Sequence, residues 1–186
     1  MIKWVVTRYI LIFIIIFFCN FNLYAENIGD TTGYKLPRFV SLKSNDVNLR
    51  IGSSTNYPIY LKYISINLPV EIIEEYKVWR KIIDIDGNSG WIHKNLLKGN
   101  RYAIINKNNI ANSKLYKKPN GNVIGEIGNF NIVKINVCLN DWCKVKFNQY
   151  KAWILKDNLW GVYKDELLNV PFYQPIINKI WKINFL

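Results

Sequence analysis

The sequence predicts an all-β chain built as two tandem small barrels, and three observations carry that prediction. The first is an internal repeat: Trp79–Leu97, WRKIIDIDGNSGWIHKNLL, returns further along as Trp142–Trp160, WCKVKFNQYKAWILKDNLW. Trp79 matches Trp142, Trp91 matches Trp153, and Asn95-Leu96 match Asn158-Leu159. Self-similarity at such a period marks repeated structural units. The second is turn chemistry. Asp86-Gly87 lies between two apolar-rich runs, a hairpin signal because Gly supplies the positive φ that a tight turn needs. The third is a missing pattern: no window sustains helical periodicity, while short β-rich runs bounded by turn residues recur.

Taken in order, residues 1–25 read as a signal peptide. Lys3 and Arg8 make a basic start, Ile10–Phe18 is an unbroken apolar run, and Ala25 offers a small residue at the cut. The run is well short of the roughly 20 residues needed to span a bilayer. Residues 26–37 are polar and Gly-containing and read as a linker. Residues 38–101 form the first barrel. Arg38–Leu42 and Val47–Arg50 are short strands, Gly52–Asn56 is a loop that Tyr57–Tyr60 continues, and Val70–Tyr76 leads into the Trp79–Leu97 unit. Residues 102–164 form the second barrel. Its strands are Tyr102–Ile105, Lys114–Tyr116, Asn131–Leu139, then Trp142–Phe147 and Tyr150–Leu155 joined across Asn148-Gln149, with Trp160–Tyr163 closing it. Gly99-Asn100 is slight punctuation between the units, so they are expected to pack or share an edge. The tail, residues 165–186, is rich in Ile and aromatics. Two readings stay open for it: packing over a barrel face, or contact with a membrane surface or a partner.

Charge and cysteines bound the compartment and the partners. Without residues 1–25, which hold two basic residues and no acid, 23 basic and 13 acidic residues remain, a net charge of +10. That balance suits anionic polymers or lipids. Export argues against nucleic acid as the partner. Cys138 and Cys143 flank Leu139–Trp142; if these four residues are a hairpin loop, the cysteines face each other within disulfide range. So short a loop adds roughly 2 kcal/mol in the chain-entropy model. In the first copy Glu74 or Glu75 faces Arg80 at the matching places, an opposite-charge pair able to do a weaker version of the same work. Two cysteines at this spacing are no metal pattern, and no metal or other cofactor is expected.

No catalytic residue is expected. His93 is the only histidine, and no serine sits in a nucleophile motif that it could orient. No Gly-rich phosphate loop precedes a helix. The aromatics are the binding candidates. Trp91 and Trp153 lie mid-strand and read as half-buried core. Trp79 and Trp142 lie at or beside turns and are expected to be exposed. With Asn48, Arg50, Tyr57 and Tyr60 they make up the candidate binding set, centred on the loop from Asn48 to Tyr60.

At three stretches the chain resembles a known family. PRFVSLKSNDVNLRIGSSTNYPI (Pro37–Ile59), LPVEIIEEYKVWRKIIDIDGNSGWIHKNLLKGNR (Leu68–Arg101) and VCLNDWCKV (Val137–Val145) resemble bacterial SH3-like domain proteins of the short, exported, tandem type found in proteobacteria. The resemblance implies two small five-stranded SH3-like barrels in a periplasmic or secreted chain without established enzymatic activity. It also implies a targeting role, since related domains direct hydrolases to cell-wall peptides or other proteins. The second copy departs from the pattern: it has Ser113–Tyr116 where the first has Asn48-x-Arg50-x-Gly52, which places a loop-borne ligand on the first copy alone. The expected partner is cell-wall peptide or peptidoglycan, or an envelope protein. The alternatives are an envelope-interaction protein that docks through its aromatic tail and, last, a cell-wall hydrolase.

Overall fold

A computed structural model describes residues 27–105 and 112–181. The signal-peptide reading of residues 1–25 lies outside them, as do residues 182–186 of the tail. The described chain folds into two seven-stranded antiparallel sheets. The first is built from β1 (Arg38–Leu42), β2 (Val47–Arg50), β3 (Ile59–Tyr63), β4 (Pro69–Tyr76), β5 (Trp79–Ile83), β6 (Ser89–His93) and β7 (Leu97–Lys98). The second is built from β8 (Tyr102–Ile105), β9 (Asn112–Tyr116), β10 (Val123–Gly128), β11 (Ile132–Cys138), β12 (Trp142–Phe147), β13 (Tyr150–Leu155) and β14 (Leu159–Trp160). Their strand orders, β3-β2-β6-β5-β4-β1-β7 and β10-β9-β13-β12-β11-β8-β14, are one topology written twice.

Seven strands stand where the resemblance implies five, because short edge strands extend each sheet. After a single 3-10 turn, β7 pairs back on β1 and β14 pairs back on β8. Two of these strands are invisible to hydrophobic patterning. Ile59 and Tyr60 of β3 continue a loop by sequence, and β10, VIGEIG, shows no strand pattern. Both are exposed edge strands, so neither needs a buried alternation.

Each sheet encloses its own core of alternate residues. Leu42, Val47, Leu49, Val70, Ile82 and Ile92 fill the first; Ile105, Val133, Ile135, Val145 and Ile154 fill the second. The β5–β6 hairpin forms, with Ile83 opposite Ser89 and Gly87 at φ +84°, though not through a tight Asp86-Gly87 turn. Its loop is the five-residue run Asp84–Asn88, and Asp84 organises it. The Asp84 carboxylate accepts from the Asp86 and Asn88 amides (3.0 and 2.8 Å), the Asn88 side chain and the Tyr63 hydroxyl (both 2.9 Å). Burial, and then the hydrogen bond to Asp84, push the Tyr63 phenol far above its ordinary pKa. The β12–β13 turn is Asn148-Gln149, with Phe147 opposite Tyr150 and Asn148 at φ +52°.

The barrels pack through polar and aromatic contacts. Phe39 of β1 lies 5.2 Å from Trp160 and 4.8 Å from Tyr163, measured between ring centroids. The Tyr163 hydroxyl donates to Glu71 of β4 at 2.6 Å. Arg101 stacks over Phe39 at 5.8 Å and pairs with Glu166 through both of its terminal nitrogens.

Residues 27–37, read as a linker, fold against the first barrel. The Glu75 side chain is completely buried and accepts from the amides and hydroxyls of Thr31 and Thr32 (2.7–3.2 Å). Gly29 is required here: a Cβ would sit 2.5 Å from the Glu75 carboxyl carbon.

The tail packs on the second barrel. Leu168 exchanges two backbone hydrogen bonds with Cys138, and a helix follows, α1 (Gln174–Trp181). Trp181 lies edge-on to Trp153 with centroids 5.6 Å apart.

Candidate binding face

In β2, Val47 and Leu49 point into the core, so the alternation turns Asn48 and Arg50 outward. Arg50 donates from Nη1 to the Tyr57 carbonyl at 2.7 Å, which closes the loop between β2 and β3. The Tyr57 ring lies directly over Gly52, where an added Cβ would come within 2.5 Å of it. Across the strand Arg50 pairs with Trp91 of β6. Gly90 permits that approach, since a Cβ there would meet the Arg50 carbonyl at 2.7 Å.

The face that results is aromatic and cationic. Tyr57 and Tyr60 are 47% and 57% exposed, and the Tyr60 hydroxyl reaches the Asn88 side chain at 3.4 Å. Trp91, Asn48, Arg50 and His93 are half-buried beside them. Lys81, opposite Trp91, is tied to Glu74 at 3.4 Å. The structure therefore brings Asn48, Arg50, Tyr57 and Tyr60 to one flank of the first barrel and adds Trp91 and Lys81. The repeat points to Trp91 as half-buried core; that it stands across the sheet from Arg50 is not readable from sequence.

The expected exposure of Trp79 and Trp142 is corrected: they are 8% and 6% exposed. Each begins a strand whose outer face is roofed over. The His93 ring packs edge-on to Trp79 at 5.5 Å, and Tyr116 packs edge-on to Trp142 at 4.9 Å. Trp142 also sits on the second barrel, in a cluster with Leu139 and Trp153 that Val170 and Trp181 cover.

Cys138 and Cys143 are bonded, with their Cα atoms 4.1 Å apart and paired across β11 and β12. In the first barrel Glu75 and Arg80 are paired at the matching register. His93 Nδ1 accepts from the Asn95 amide at 3.3 Å, so the ring caps the 3-10 turn as well as covering Trp79. Among the described residues no cluster of His, Cys, Asp or Glu could hold a metal ion.

A model of the bacterial SH3 domain matches residues 43–99 and 118–161, just over half of the chain. The chain belongs to the bacterial SH3 domain family. Both matched segments fall within the two sheets, and the disulfide of this SH3 protein fits an oxidising compartment. Among the described residues no helix is long and apolar enough to cross a membrane. No curated protein matches the chain. The solved structures similar to it include NlpC1 from Trichomonas vaginalis, at 16% identity over 71% of this chain and 48% of that one. NlpC2 from Trichomonas vaginalis matches at 16% over 72% and 51%, and an NlpC/P60 family protein from Bacillus cereus at 12% over 75% and 61%. The SH3 chain thus spans about half the length of the two Trichomonas chains. All three have a TM-score of 0.30, at which no functional statement follows.

Proposed function

We propose that this SH3 protein is an exported, non-catalytic binding module that takes a cell-wall peptide or an envelope protein on the outer flank of its first barrel. One observation carries the reading: Arg50 donates to the Tyr57 carbonyl and stands opposite Trp91 across the sheet, with Tyr57 and Tyr60 exposed on the same flank. A planar guanidinium on a face that also carries aromatic rings suits a ligand with a carboxylate and an apolar body, as cell-wall peptides and many protein segments are. The basic start and apolar run of residues 1–25 support export, as does the disulfide. The net charge of +10 without residues 1–25 supports capture of an anionic polymer. The test is retention on purified peptidoglycan at physiological salt. Wild type is expected to be retained and Tyr57→Ala/Tyr60→Ala to be released; no retention of wild type removes the cell-wall version. Binding that ignores salt removes the electrostatic part.

A second reading rests on the tail. Phe172, Ile176 and Ile180, each four residues apart, are 94%, 69% and 70% exposed, while Gln174 and Asn178 face inward and bond each other at 2.7 Å. A helix with its polar pair inside, Ile176 and Ile180 outside and Phe172 exposed just before it fits an interfacial helix on a membrane. Sedimentation with anionic vesicles, lost in Phe172→Ser/Ile176→Ser, is the expected result; equal sedimentation of the variant removes this reading.

A further inference from the structure

The second barrel carries an occupant on the face that corresponds to the Arg50–Trp91 face of the first. The two faces correspond residue for residue. Tyr116 stands opposite Trp153 as Arg50 stands opposite Trp91. Trp142 stands opposite Leu155 as Trp79 stands opposite His93. Val137 pairs with Lys144 as Glu74 pairs with Lys81.

On the second barrel this frame holds a segment of the chain itself. Trp181 of α1 stands edge-on to Trp153, and Val170 joins the same apolar cluster. On the first barrel the tryptophans and the lysine are kept. The three apolar positions around them, Tyr116, Val137 and Leu155, become Arg50, Glu74 and His93. Among the described residues α1 is the sole α-helix, and it lies on the second barrel. The covered face of the second barrel thus corresponds to a half-exposed face with a charged rim on the first.

We propose that the Trp91 face binds a polypeptide segment in the manner in which Trp153 binds α1: an aromatic side chain edge-on to Trp91, with an adjacent carboxylate on Arg50. This rests on the reading that the outer flank of the first barrel is the ligand site, and it names the class of partner. The occupant held by the same frame in the second barrel is a chain segment, which decides for peptide over sugar. Arg50 stands where Tyr116 packs on Trp142, and its planar fork matches a carboxylate. Arg50 commits Nη1 to the Tyr57 carbonyl and, with five N–H donors, keeps others for a carboxylate, whereas Lys81 already faces the charge of Glu74.

The probe is a synthetic peptide of residues Pro171–Trp181, made once with a free terminal carboxylate next to Trp181 and once as the amide. Each is titrated into the full protein while the indole N–H signals are followed by NMR. The free acid is expected to move the Trp91 signal and to bind about tenfold tighter than the amide, the preference vanishing in Arg50→Gln. Trp91→Phe keeps the core intact and is expected to weaken both peptides. A Trp91 signal unmoved at millimolar peptide overturns the proposal. So do shifts confined to Trp153, which mean displacement of α1, and an acid preference that survives Arg50→Gln. Peptide-free glycan strands moving Trp91 while the peptides do not would overturn the peptide assignment and leave the binding face standing. If neither these peptides nor cell-wall peptides move it, both readings fall.

Discussion

Glu75 and Arg80 face each other across the β4–β5 hairpin, 3.3 Å apart and almost fully buried, at the register where Cys138 and Cys143 form the disulfide of the second barrel. One position in the fold is thus closed by an ion pair in one copy and by a covalent bond in the other. The ion pair also does what the disulfide does not. Glu75 takes hydrogen bonds from Thr31, Thr32 and Arg38, and so holds residues 29–34 on the barrel. Removing one partner of a buried pair leaves an uncompensated charge. Glu75→Gln is therefore expected to destabilise the protein by about 3–5 kcal/mol by urea unfolding. It should also raise amide exchange at Thr31 and Thr32 first. Unchanged exchange there would mean that the segment is held by something else.

The same carboxylate makes stability depend on acid. Burial alone would raise the pKa of Glu75, but the hydrogen bonds from Thr31, Thr32 and Arg38 and the charge of Arg80 outweigh it and hold it at about 2, against an ordinary 4.5. A group whose folded pKa is depressed stabilises the fold above its unfolded pKa and loses that contribution as pH falls through the folded one. Stability is expected to be level above pH 4.5 in this respect and to fall by up to roughly 3 kcal/mol towards pH 2. Chemical denaturation at stepped pH should show this fall in wild type and not in Glu75→Gln.

Reduction tests the counterpart. The Cys138–Cys143 link closes a short loop, so it constrains the unfolded chain modestly, by roughly 2 kcal/mol. Cys143 is also fully buried in the core, so the thiol form keeps its packing. Reductant is expected to lower the stability of the second barrel by about that amount without unfolding it. Complete unfolding on reduction would show that the link does more than close a loop.

Much of this was legible in the residues, and the exceptions have physical reasons. The hairpin of each copy, the disulfide and the Glu75–Arg80 pairing follow from a two-residue alternation and a matched repeat. The fates of Trp79 and Trp142 do not follow, because a turn-adjacent tryptophan is exposed only if nothing covers it, and His93 and the tail are the covers. The role of Thr31-Thr32 was hidden for a similar reason. A polar segment reads as a linker until a buried carboxylate claims its donors. The pairing of Arg50 with Trp91 is a cross-strand contact between residues distant in sequence, and composition carries no sign of it.

The junction of the barrels gives a further outcome. The Tyr163 hydroxyl donates to Glu71 at 2.6 Å, and burial followed by that hydrogen bond pushes the phenol well above its ordinary pKa. Hydrogen bonds to charged groups are worth about 1.5–3 kcal/mol. Tyr163→Phe keeps the ring against Phe39 and removes only the hydroxyl. By calorimetry the two barrels are then expected to unfold at more widely separated temperatures than in wild type. An unchanged profile would show that the hydroxyl adds nothing to the coupling.

Trp181 is the anchor of the tail, because it is the residue of α1 that meets the second barrel ring to ring. An edge-to-face pair contributes about 0.5–1.5 kcal/mol beyond its buried area. Trp181→Ala is therefore expected to cost about 2 kcal/mol and to release α1, because among the described residues the inward pair Gln174 and Asn178 bond each other. Trp153 should then become accessible to a collisional quencher, and proteolysis should begin beyond Leu168, whose backbone is still held by Cys138. If Trp153 stays shielded while α1 is cleaved, Val170 and the segment before the helix provide the cover, and Trp181 is not the anchor.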